Sequence, residues 1–343
     1  MTPVKIIDAA AQKDALFLVW GPPSHGPRSR VFARELGVPL HNVYSTRRRG
    51  AWAAPWKYTY QAVATIWLLA RMRPKLVFVQ SPPSFAVIVV AAYCAIASAR
   101  FVVDAHSAAM QATVWTRPRA LYRWLARRAV VTIVTNETFS ARIEGWGARA
   151  LVLKDIPTAF PIGDAPELAD GMNILVVSTF AGDEPLGEVV EAARRLPAVR
   201  FHVTGDPERG RQTFDLSGAP PNLRFTGYLP DEEYYGLMAG ADLVMCLTTR
   251  NDTMQRGACE ALSIGTPIIT SDWPLLRGYF SDGTVYVRSD ADSIEAGVRD
   301  AIARIDELGD GIRRLRDRQW NEWVEGSTTL ATLIHQGMMG GRG

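Results

Sequence analysis

Cysteine and histidine are scarce in this chain of 343 residues, which contains three of the first and five of the second. Cys94, Cys246 and Cys259 lie in separate apolar segments without Cys-x-x-Cys spacing, so we expect reduced core thiols and neither a disulfide framework nor a zinc site. No apolar run reaches the roughly 20 residues of a membrane-spanning helix, and the N-terminus lacks the apolar stretch of a signal peptide. We therefore expect a cytoplasmic protein without a transmembrane span.

Acidic residues are also scarce in the first half of the chain, although the net charge is only +3. Residues 1–150 carry 20 Lys and Arg against 6 Asp and Glu, whereas the remainder carries 18 against 29. The basic half also holds seven of the ten tryptophans. Such a division indicates two domains with different partners. Indoles beside cations are typical of membrane surfaces and of nucleic-acid sites, but no nucleic-acid-binding motif accompanies them here, so we expect no nucleic-acid partner.

Short β-branched runs alternate with helical patterns along most of the chain, which is typical of βαβ units and parallel sheets. We predict two doubly wound, Rossmann-like α/β domains, at residues 1–154 and 172–343, joined by a linker at 155–171 that is rich in Pro, Asp and Gly. A helix at 311–335 ends the second domain. The predicted strands are 15–20, 38–44, 76–80, 101–104, 130–134 and 150–153 in the first domain, and 173–177, 199–203, 223–225, 243–247, 267–270 and 285–287 in the second.

The polar loop after the fourth strand of the second domain is the most informative segment. A helix is predicted to begin there at Thr253 or Met254, and free backbone N–H groups at a helix start favour an anion, to which Arg256 adds positive charge. Glu260, two turns into this helix, is suited to accept hydrogen bonds from a ribose diol, and Asp252 to contact hydroxyls of an attached sugar. On spacing alone, Asp252 is equally an N-cap and Glu260 an ordinary solvated residue, so both interpretations stay open.

This segment resembles the donor-site motif of family 4 GT-B glycosyltransferases, usually Glu-x7-Glu, with Asp252 and Glu260 at the two acidic positions. The sequences HVTGD at 202–206 and FTGYLP at 225–230 resemble the strand and the base-contacting loop that precede the motif. The resemblance covers residues 170–335 well and the N-terminal half in outline. It implies the GT-B fold, in which two Rossmann-like domains face a cleft and a C-terminal helix crosses back. It also implies a UDP- or GDP-linked sugar as donor, with no bound cofactor and no metal.

The same resemblance implies which residues bind the donor. They are Thr179, Gly205, Tyr228, Thr253, Met254, Gln255, Arg256 and Glu260. The chain departs from the family pattern at Asp252, which is one methylene shorter than glutamate, and at residues 177–186, where the Arg and Lys that bind the diphosphate in many family 4 enzymes are missing. Phosphate contacts are therefore expected from backbone N–H groups near Thr179 and at the start of the helix.

Candidate catalytic groups of the first domain lie in two loops. His25 belongs to the Gly/Pro-rich segment 21–30, where it is either a site residue or simply solvated. Asp104 and His106 end a predicted strand two residues apart, on one side of the extended chain. The family resemblance places a histidine at the His106 position against the transferred sugar, while Asp104 either orients it or caps the loop. Asp252 of the donor-site motif is the fourth candidate catalytic residue.

The stereochemistry of the reaction stays open. An inverting enzyme needs a base, for which Asp104, His106 and His25 are the candidates, whereas in a retaining enzyme the leaving phosphate takes the proton. The family 4 motif favours retention. The triplet Asp290, Ala291 and Asp292 has the spacing of a metal-binding motif, but it directly precedes a helix and is interpreted as a cap.

Three segments, STFAGDEPL at 178–186, QSPP at 80–83 and VDAH at 103–106, are similar to the mannosyltransferases that extend chitobiosyl-diphosphodolichol. This resemblance implies inversion and a polyprenyl-diphosphate glycan as acceptor, on the cytoplasmic face of the plasma membrane, in cell-envelope or exopolysaccharide biosynthesis. Cations and indoles of the basic half are expected to bind that anionic surface; they are Arg47, Arg48, Arg49, Lys57, Arg71, Arg73, Lys75, Trp52 and Trp56. The alternatives are a solvated basic face, a soluble GT-B enzyme with a small acceptor, a sugar-nucleotide epimerase and a non-catalytic binding protein.

Overall fold

The structure is a computed structural model that describes residues 14–22, 27–45, 54–106, 109–110, 117–164, 168, 170–210, 218–251 and 253–339. It divides into two compact units, Met1–Ile156 with Asn321–Gly343, and Pro157–Trp320. Two candidate site residues, His25 and Asp252, lie outside the described residues, and so do Trp52 and the arginines at 47–49.

The N-terminal unit contains a six-stranded parallel sheet in the order β2-β1-β3-β4-β5-β6. Its strands are β1 (Ala15–Val19), β2 (Leu40–Asn42), β3 (Leu76–Ser81), β4 (Arg100–Ala105), β5 (Thr132–Val134) and β6 (Ala150–Val152). Its helices are α1 (Pro27–Leu36), α2 (Ala54–Met72), α3 (Ser84–Ala97), α4 (Arg119–Arg128) and α5 (Glu137–Glu144). Every residue of β1 and β3 is buried, as expected for strands covered by helices on both faces.

The C-terminal unit contains a second six-stranded parallel sheet, in the order β12-β11-β10-β7-β8-β9. Its strands are β7 (Met172–Val176), β8 (Val199–Thr204), β9 (Leu223–Gly227), β10 (Leu243–Cys246), β11 (Ile268–Ser271) and β12 (Thr284–Val287). Its helices are α6 (Leu186–Arg194), α7 (Pro207–Gly210), α8 (Asp231–Gly240), α9 (Arg256–Ile264), α10 (Pro274–Tyr279), α11 (Ala291–Ala303) and α12 (Ile305–Met339). The strand order reverses between β7 and β10, and in such sheets ligands bind beyond the carboxyl ends of the strands at that point.

Helix α12 is longer than the predicted helix at 311–335 and contributes to both units, with the change at Asn321. In the C-terminal unit, Gln319 Nε2 donates to the Tyr279 carbonyl oxygen at 3.0 Å. In the N-terminal unit, the Trp323 ring stacks on Phe32 with 4.8 Å between centroids. The sequence pattern also missed the short helices α7 and α10. No helix among the described residues combines the length and the apolar character needed to cross a bilayer.

The predicted linker at 155–171 contains neither helix nor strand in its described part. Its residues from Pro157 onward cluster with the C-terminal unit. The Phe160 ring stacks on Tyr235 of α8 with 4.2 Å between centroids, and the Gly163 amide donates to the Glu232 carbonyl oxygen at 3.1 Å. This segment is therefore packed along α8. All three cysteines are free thiols, as predicted, and Cys94 and Cys246 are buried in the core, whereas Cys259 is only partly buried.

Candidate active site

A cavity of about 510 Å³ opens in the C-terminal unit where β7, β8, β9 and β10 end. Six of the eight predicted donor-binding residues line it: Thr179, Gly205, Tyr228, Gln255, Arg256 and Glu260. They come from four separate segments of the chain, and the parallel sheet brings them together because its strands end at the same edge. The other two, Thr253 and Met254, lie three and two residues before the first residue of α9 and are not among the residues that line this cavity.

Helix α9 begins at Arg256, two to three residues later than the sequence predicted, with Gln255 at the N-cap. No side chain forms a capping hydrogen bond with the first backbone N–H groups of this helix, which lie at the cavity. A Cβ atom on Gly257 would lie 2.7 Å from Val177 Cγ1 and 2.9 Å from Cys246 Sγ. Glycine at this position therefore allows the start of α9 to lie directly against the ends of β7 and β10.

Glu260 is buried, with 7% of its surface exposed, so the interpretation as an ordinary solvated helix residue is wrong. Its Oε1 accepts a hydrogen bond from Arg256 Nε at 2.7 Å, and its Oε2 accepts one from the Tyr234 hydroxyl at 2.9 Å. Burial and the adjacent Glu260 carboxylate raise the pKa of Tyr234 well above its usual range, so that this phenol remains a donor. Tyr234 was not predicted as a site residue. The only indication in the sequence was that it lies within residues 170–335, which resemble the family.

The Thr179 amide already has an anionic partner inside the protein. Glu184 accepts hydrogen bonds from the Thr179 amide at 3.0 Å, the Thr179 hydroxyl at 2.8 Å and the Ser178 hydroxyl at 2.6 Å. The N–H group that was expected to bind a donor phosphate is thus bound to this carboxylate. Glu184 was not predicted as a site residue. The sequence does contain an indication of it, because Glu184 is an acidic residue in a loop that has no cation.

The base-contacting loops expected from the resemblance lie after β8 and β9. Gly205 has a φ of +96°, and a Cβ atom there would be 2.5 Å from the Ser178 carbonyl oxygen, so the position requires glycine. Its amide donates to the Gly227 carbonyl oxygen at 3.2 Å, which joins the two loops. Tyr228 follows directly and lines the cavity with 86% of its surface exposed. An aromatic ring at such a position is able to stack on a flat heterocycle.

In the N-terminal unit, the end of β4 and the start of α1 bring together Asp104, His106 and Ser29. Asp104 is fully buried, and its Oδ2 lies 3.0 Å from His106 Nε2 and 3.0 Å from Ser29 Oγ. Ser29 Oγ lies 3.2 Å from the same His106 nitrogen. The expected pairing of Asp104 with His106 is present, and Ser29 is an additional member that the sequence interpretation did not single out.

Arg28 supplies the positive charge of this cluster. Its Nε lies 3.5 Å from Asp104 Oδ1, and its Nη1 lies 2.7 Å from Asp155 Oδ1. Burial acts to raise the pKa of Asp104, but His106, Arg28 and the hydrogen bond from Ser29 outweigh it and lower that pKa to about 2. Asp104 is therefore an anion at neutral pH, and Arg28, which belongs to the Gly/Pro-rich segment 21–30, is engaged by two carboxylates.

The described part of the chain contains no group of three or more His, Cys, Asp or Glu side chains arranged to hold a metal ion. Asp290 is the N-cap of α11, and its Oδ1 accepts a hydrogen bond from the Ser293 amide at 2.8 Å. The interpretation of the Asp290 triplet as a helix cap is confirmed.

Residues 9–157 match the family model of the glycosyl transferase 4-like domain, and residues 187–324 match that of the glycosyl transferase-like family. HepE of Anabaena, solved with UDP and glucose, is 14% identical with a TM-score of 0.65 over 94% of this chain and 99% of its own. Sucrose-phosphate synthase of Thermosynechococcus elongatus is 15% identical with a TM-score of 0.68 over 95% of this chain and 89% of its own.

The lipopolysaccharide outer core galactosyltransferase WaaB is 12% identical with a TM-score of 0.59, over 91% of this chain and 98% of its own. A comparison with curated protein sequences gives no match. The fold is that of the GT-B glycosyltransferases, as the sequence predicted. The two family matches lie one in each half of the chain, the 4-like match in the N-terminal half and the glycosyl transferase-like match in the C-terminal half.

Proposed function

We propose that this protein transfers a sugar from a UDP- or GDP-linked donor to a polyprenyl-diphosphate glycan at an anionic membrane surface. The observation that carries the donor assignment is the buried Glu260 carboxylate, which lines a cavity together with five other residues predicted to bind the donor. The cavity volume of about 510 Å³ lies in the usual range for small-molecule sites.

Each part of a nucleoside diphosphate has a suitable group in this cavity. Glu260 accepts hydrogen bonds from the ribose diol, and the exposed ring of Tyr228 stacks on the base. The diphosphate binds at the start of α9, where backbone N–H groups and the helix dipole stabilise negative charge. Arg256 then lies between the ribose-binding carboxylate and the phosphates. As the sugar leaves, negative charge grows on the diphosphate, and these groups stabilise it.

The comparisons support the same donor class. HepE, with the same fold and nearly full mutual coverage, was solved with UDP and glucose. WaaB, by its name a galactosyltransferase of lipopolysaccharide, supports a sugar acceptor of the cell envelope. The resemblance of STFAGDEPL, QSPP and VDAH to chitobiosyl-diphosphodolichol mannosyltransferases supports a lipid diphosphate as the anchor of that acceptor.

The membrane assignment is supported by one face of α2. Trp56, Tyr60, Val63 and Trp67 follow one another at helical spacing on this face, and each exposes more than half of its surface. The opposite face is buried, where Gln61 Nε2 donates to the Val43 carbonyl oxygen at 2.9 Å. Exposure of such an aromatic stripe to water is energetically unfavourable, whereas the headgroup region of a bilayer suits it.

Cations flank this stripe. Arg71 lies over the Trp67 ring at 5.8 Å from its centroid, and Lys57, Arg73 and Lys75 are exposed nearby in the sequence. Each cation close to an anionic leaflet contributes on the order of 1 kcal/mol, so four of them hold a protein at the surface. These four cations support an anionic membrane surface as the partner of the N-terminal half.

The proposal is tested in two steps. The melting temperature is measured with UDP and with GDP, because only a bound nucleotide raises it. The protein is then incubated with UDP- and GDP-sugars, with and without polyprenyl-diphosphate glycans, and the release of nucleoside diphosphate is followed. Release that requires the lipid-linked glycan is expected. Release with soluble acceptors alone would contradict the lipid assignment, and no release from any donor would contradict a glycosyltransferase.

A further inference from the structure

A second cavity, of about 410 Å³, opens at the same edge of the C-terminal sheet, beyond the carboxyl ends of β10, β11 and β12. Its lining comes from the loops that follow these three strands. No described residue lines both this cavity and the proposed donor cavity, and the two are divided at the end of β10, where Cys246 lines the donor cavity and Thr249 lines the second one. The ligand of the second cavity must therefore be inferred from its own lining.

Hydrogen bonds hold together the loops on the donor side of this second cavity. Thr248 Oγ1 donates to Asp183 Oδ2 at 2.8 Å, and the Thr249 amide donates to the Asp183 carbonyl oxygen at 2.7 Å. The Thr248 amide donates in turn to Ser271 Oγ at 2.8 Å. These bonds join the ends of β10 and β11 to the loop before α6, so the lining residues Thr249 and Ser271 are fixed in position.

Trp273 and Val287 give the second cavity its apolar surface. The indole is partly buried, and its Nε1 donates to the Thr248 carbonyl oxygen at 3.0 Å, which fixes the orientation of the ring. The Asp272 amide donates to the Val287 carbonyl oxygen at 2.8 Å, which joins the loops after β11 and β12. A fixed aromatic ring beside a branched aliphatic side chain forms a surface on which the C–H groups of a ligand are able to pack.

Hydroxyl groups of Thr249, Ser271 and Ser289 lie beside this apolar surface. Ser271 is 1% exposed, and its Oγ accepts a hydrogen bond, but its O–H group has no acceptor among the described residues. The Ser289 hydroxyl has no hydrogen-bond partner in the described part of the chain. Because a buried hydroxyl donor without an acceptor is costly, Ser271 favours a ligand oxygen atom in this cavity.

The two charged side chains of the lining are each paired within the protein. Asp272 Oδ1 accepts a hydrogen bond from Arg277 Nε, and Arg288 Nε lies 3.0 Å from Asp290 Oδ2. The hydrogen bond from Arg277 lowers the pKa of Asp272, so this carboxylate is an anion and its second oxygen is an acceptor. The charges of the lining are balanced, which favours an uncharged ligand over a phosphate or a cation.

We propose that the second cavity binds an uncharged sugar residue, at a site separate from that of the nucleoside diphosphate. Sugar hydroxyls both donate and accept hydrogen bonds, so one ligand satisfies Asp272, which only accepts, and Ser271, which has a hydrogen to donate. The C–H face of a pyranose ring packs on the Trp273 indole. The site belongs to the C-terminal unit alone, and its occupation requires neither turnover nor a bound nucleotide.

Saturation-transfer NMR on the full chain tests this site, with the methyl glycosides of glucose, mannose and galactose as probes. At least one of them is expected to bind, with a Kd of about 1 to 20 mM. Binding is expected to persist in the presence of UDP or GDP, because the two cavities share no described residue. Absence of binding by all three glycosides, or displacement of the bound glycoside by a nucleotide, would overturn the proposal.

Two substitutions locate the bound glycoside. Asp272→Asn removes the charged acceptor and Ser289→Phe fills the cavity, and each is expected to raise the Kd at least about 5-fold. Asp300→Asn and Ser281→Phe are the matched controls, since Asp300 pairs with Arg304 at 2.9 Å, Ser281 is exposed, and neither lines the cavity. Melting temperatures show that the variants fold, and if Asp272→Asn does not, Ser289→Phe decides alone. Wild-type affinity in the folded cavity variants would overturn the proposal.

Two further probes define the ligand class. Inorganic phosphate is expected to leave glycoside binding unchanged, and its competition with the glycoside at equal concentration would overturn an uncharged ligand. A trisaccharide of the bound hexose is expected to compete with the glycoside. Tighter binding of the trisaccharide supports a glycan as the source of the sugar, and tighter binding of the glycoside supports a free sugar.

The glycoside titration and the transfer assay fail independently. A protein that binds the glycoside at Asp272 and Ser289 but releases nucleoside diphosphate from no donor would retain the sugar site and lose the proposed function. A protein that transfers sugar but binds none of the glycosides would retain the proposed function, and the sugar site would be overturned.

Discussion

Arg256 Nε lies 2.7 Å from Glu260 Oε1, one turn further along α9, at the wall of the proposed donor cavity. The pair links the start of the helix, where a diphosphate is expected, to the carboxylate that is expected to hold the ribose. Since Arg256 is partly exposed and Glu260 is buried, the arginine is the partner that is free to adjust when a nucleotide enters.

The first prediction concerns Glu260. Replacing it by Gln removes the charge that accepts the ribose hydroxyls, and hydrogen bonds to a charged group contribute about 1.5 to 3 kcal/mol. We expect the Kd for the preferred nucleoside diphosphate to rise about 10-fold or more, measured by calorimetry. Glu295→Gln is the matched control, because Glu295 forms the same kind of pair with Arg299, at 2.9 Å, outside the cavity. Equal affinities in the two variants would contradict the ribose assignment.

The second prediction concerns Glu184, whose carboxylate is bound to the Thr179 amide inside the cavity. Its negative charge opposes the diphosphate. Glu184→Gln is therefore expected to strengthen binding of the nucleoside diphosphate several-fold at low salt, and to leave binding of the uncharged nucleoside unchanged. Glu188→Gln is the control, since Glu188 accepts the Ala291 amide at 3.2 Å away from the cavity. Weaker diphosphate binding in Glu184→Gln would indicate that ordering of the loop outweighs the charge.

The third prediction concerns the backbone at Gly205. Alanine there combines a positive φ with a Cβ atom 2.5 Å from the Ser178 carbonyl oxygen. We expect Gly205→Ala to lower the free energy of unfolding by about 1 to 3 kcal/mol and to weaken nucleotide binding, because the loop before Tyr228 must move. Gly182→Ala has open space around its Cβ and serves as the control in thermal unfolding. Similar stability of the two variants would contradict the strain argument.

The strands of both sheets were predictable because their signal is local. Val77, Phe78 and Val79 of β3 are apolar in succession and fully buried, as a strand between two helical layers requires. The start of α9 was predicted too early for a different reason. Thr253 is a good capping residue, but the close approach of Gly257 to Val177 and Cys246 involves residues distant in sequence, which no local pattern reveals.

The sequence predicted the candidate site residues that belong to a recognisable motif. It did not predict the residues that come together only through the packing of the fold. Glu260 was recognised from its spacing, whereas its contact with Tyr234 crosses 26 residues and has no local pattern. Ser29 meets His106 across 77 residues, between the start of α1 and the end of β4. Such contacts depend on the strand order, because neighbouring parallel strands have their carboxyl ends at the same edge of the sheet.

The fourth prediction concerns acid stability. The pKa of Asp104 is lowered to about 2 in the folded protein, against 3.8 for a free side chain. Its stabilising contribution, about 2 kcal/mol, is therefore fully present above pH 4 and is lost as the pH falls towards 2. In Asp104→Asn, we expect the free energy of unfolding to change less between pH 4 and pH 2, measured with urea. Glu325→Gln, at an exposed position of α12, is the control with the wild-type slope. A wild-type slope in Asp104→Asn would contradict the assignment.

The fifth prediction concerns the exposed stripe of α2. Trp56 and Trp67 expose 72% and 65% of their surfaces, and in the proposed arrangement both indoles lie at the headgroup level beside Lys57 and Arg71. We expect the double variant Trp56→Ser, Trp67→Ser to bind vesicles with anionic lipid about 10-fold more weakly in a sedimentation assay, because two large amphipathic rings lose their contact with the bilayer. Ile162→Ser, an exposed apolar residue of the C-terminal unit, is the control. Binding of the wild-type protein should also fall steeply with salt, and equal binding to neutral and anionic vesicles would contradict the membrane assignment while leaving the donor site untouched.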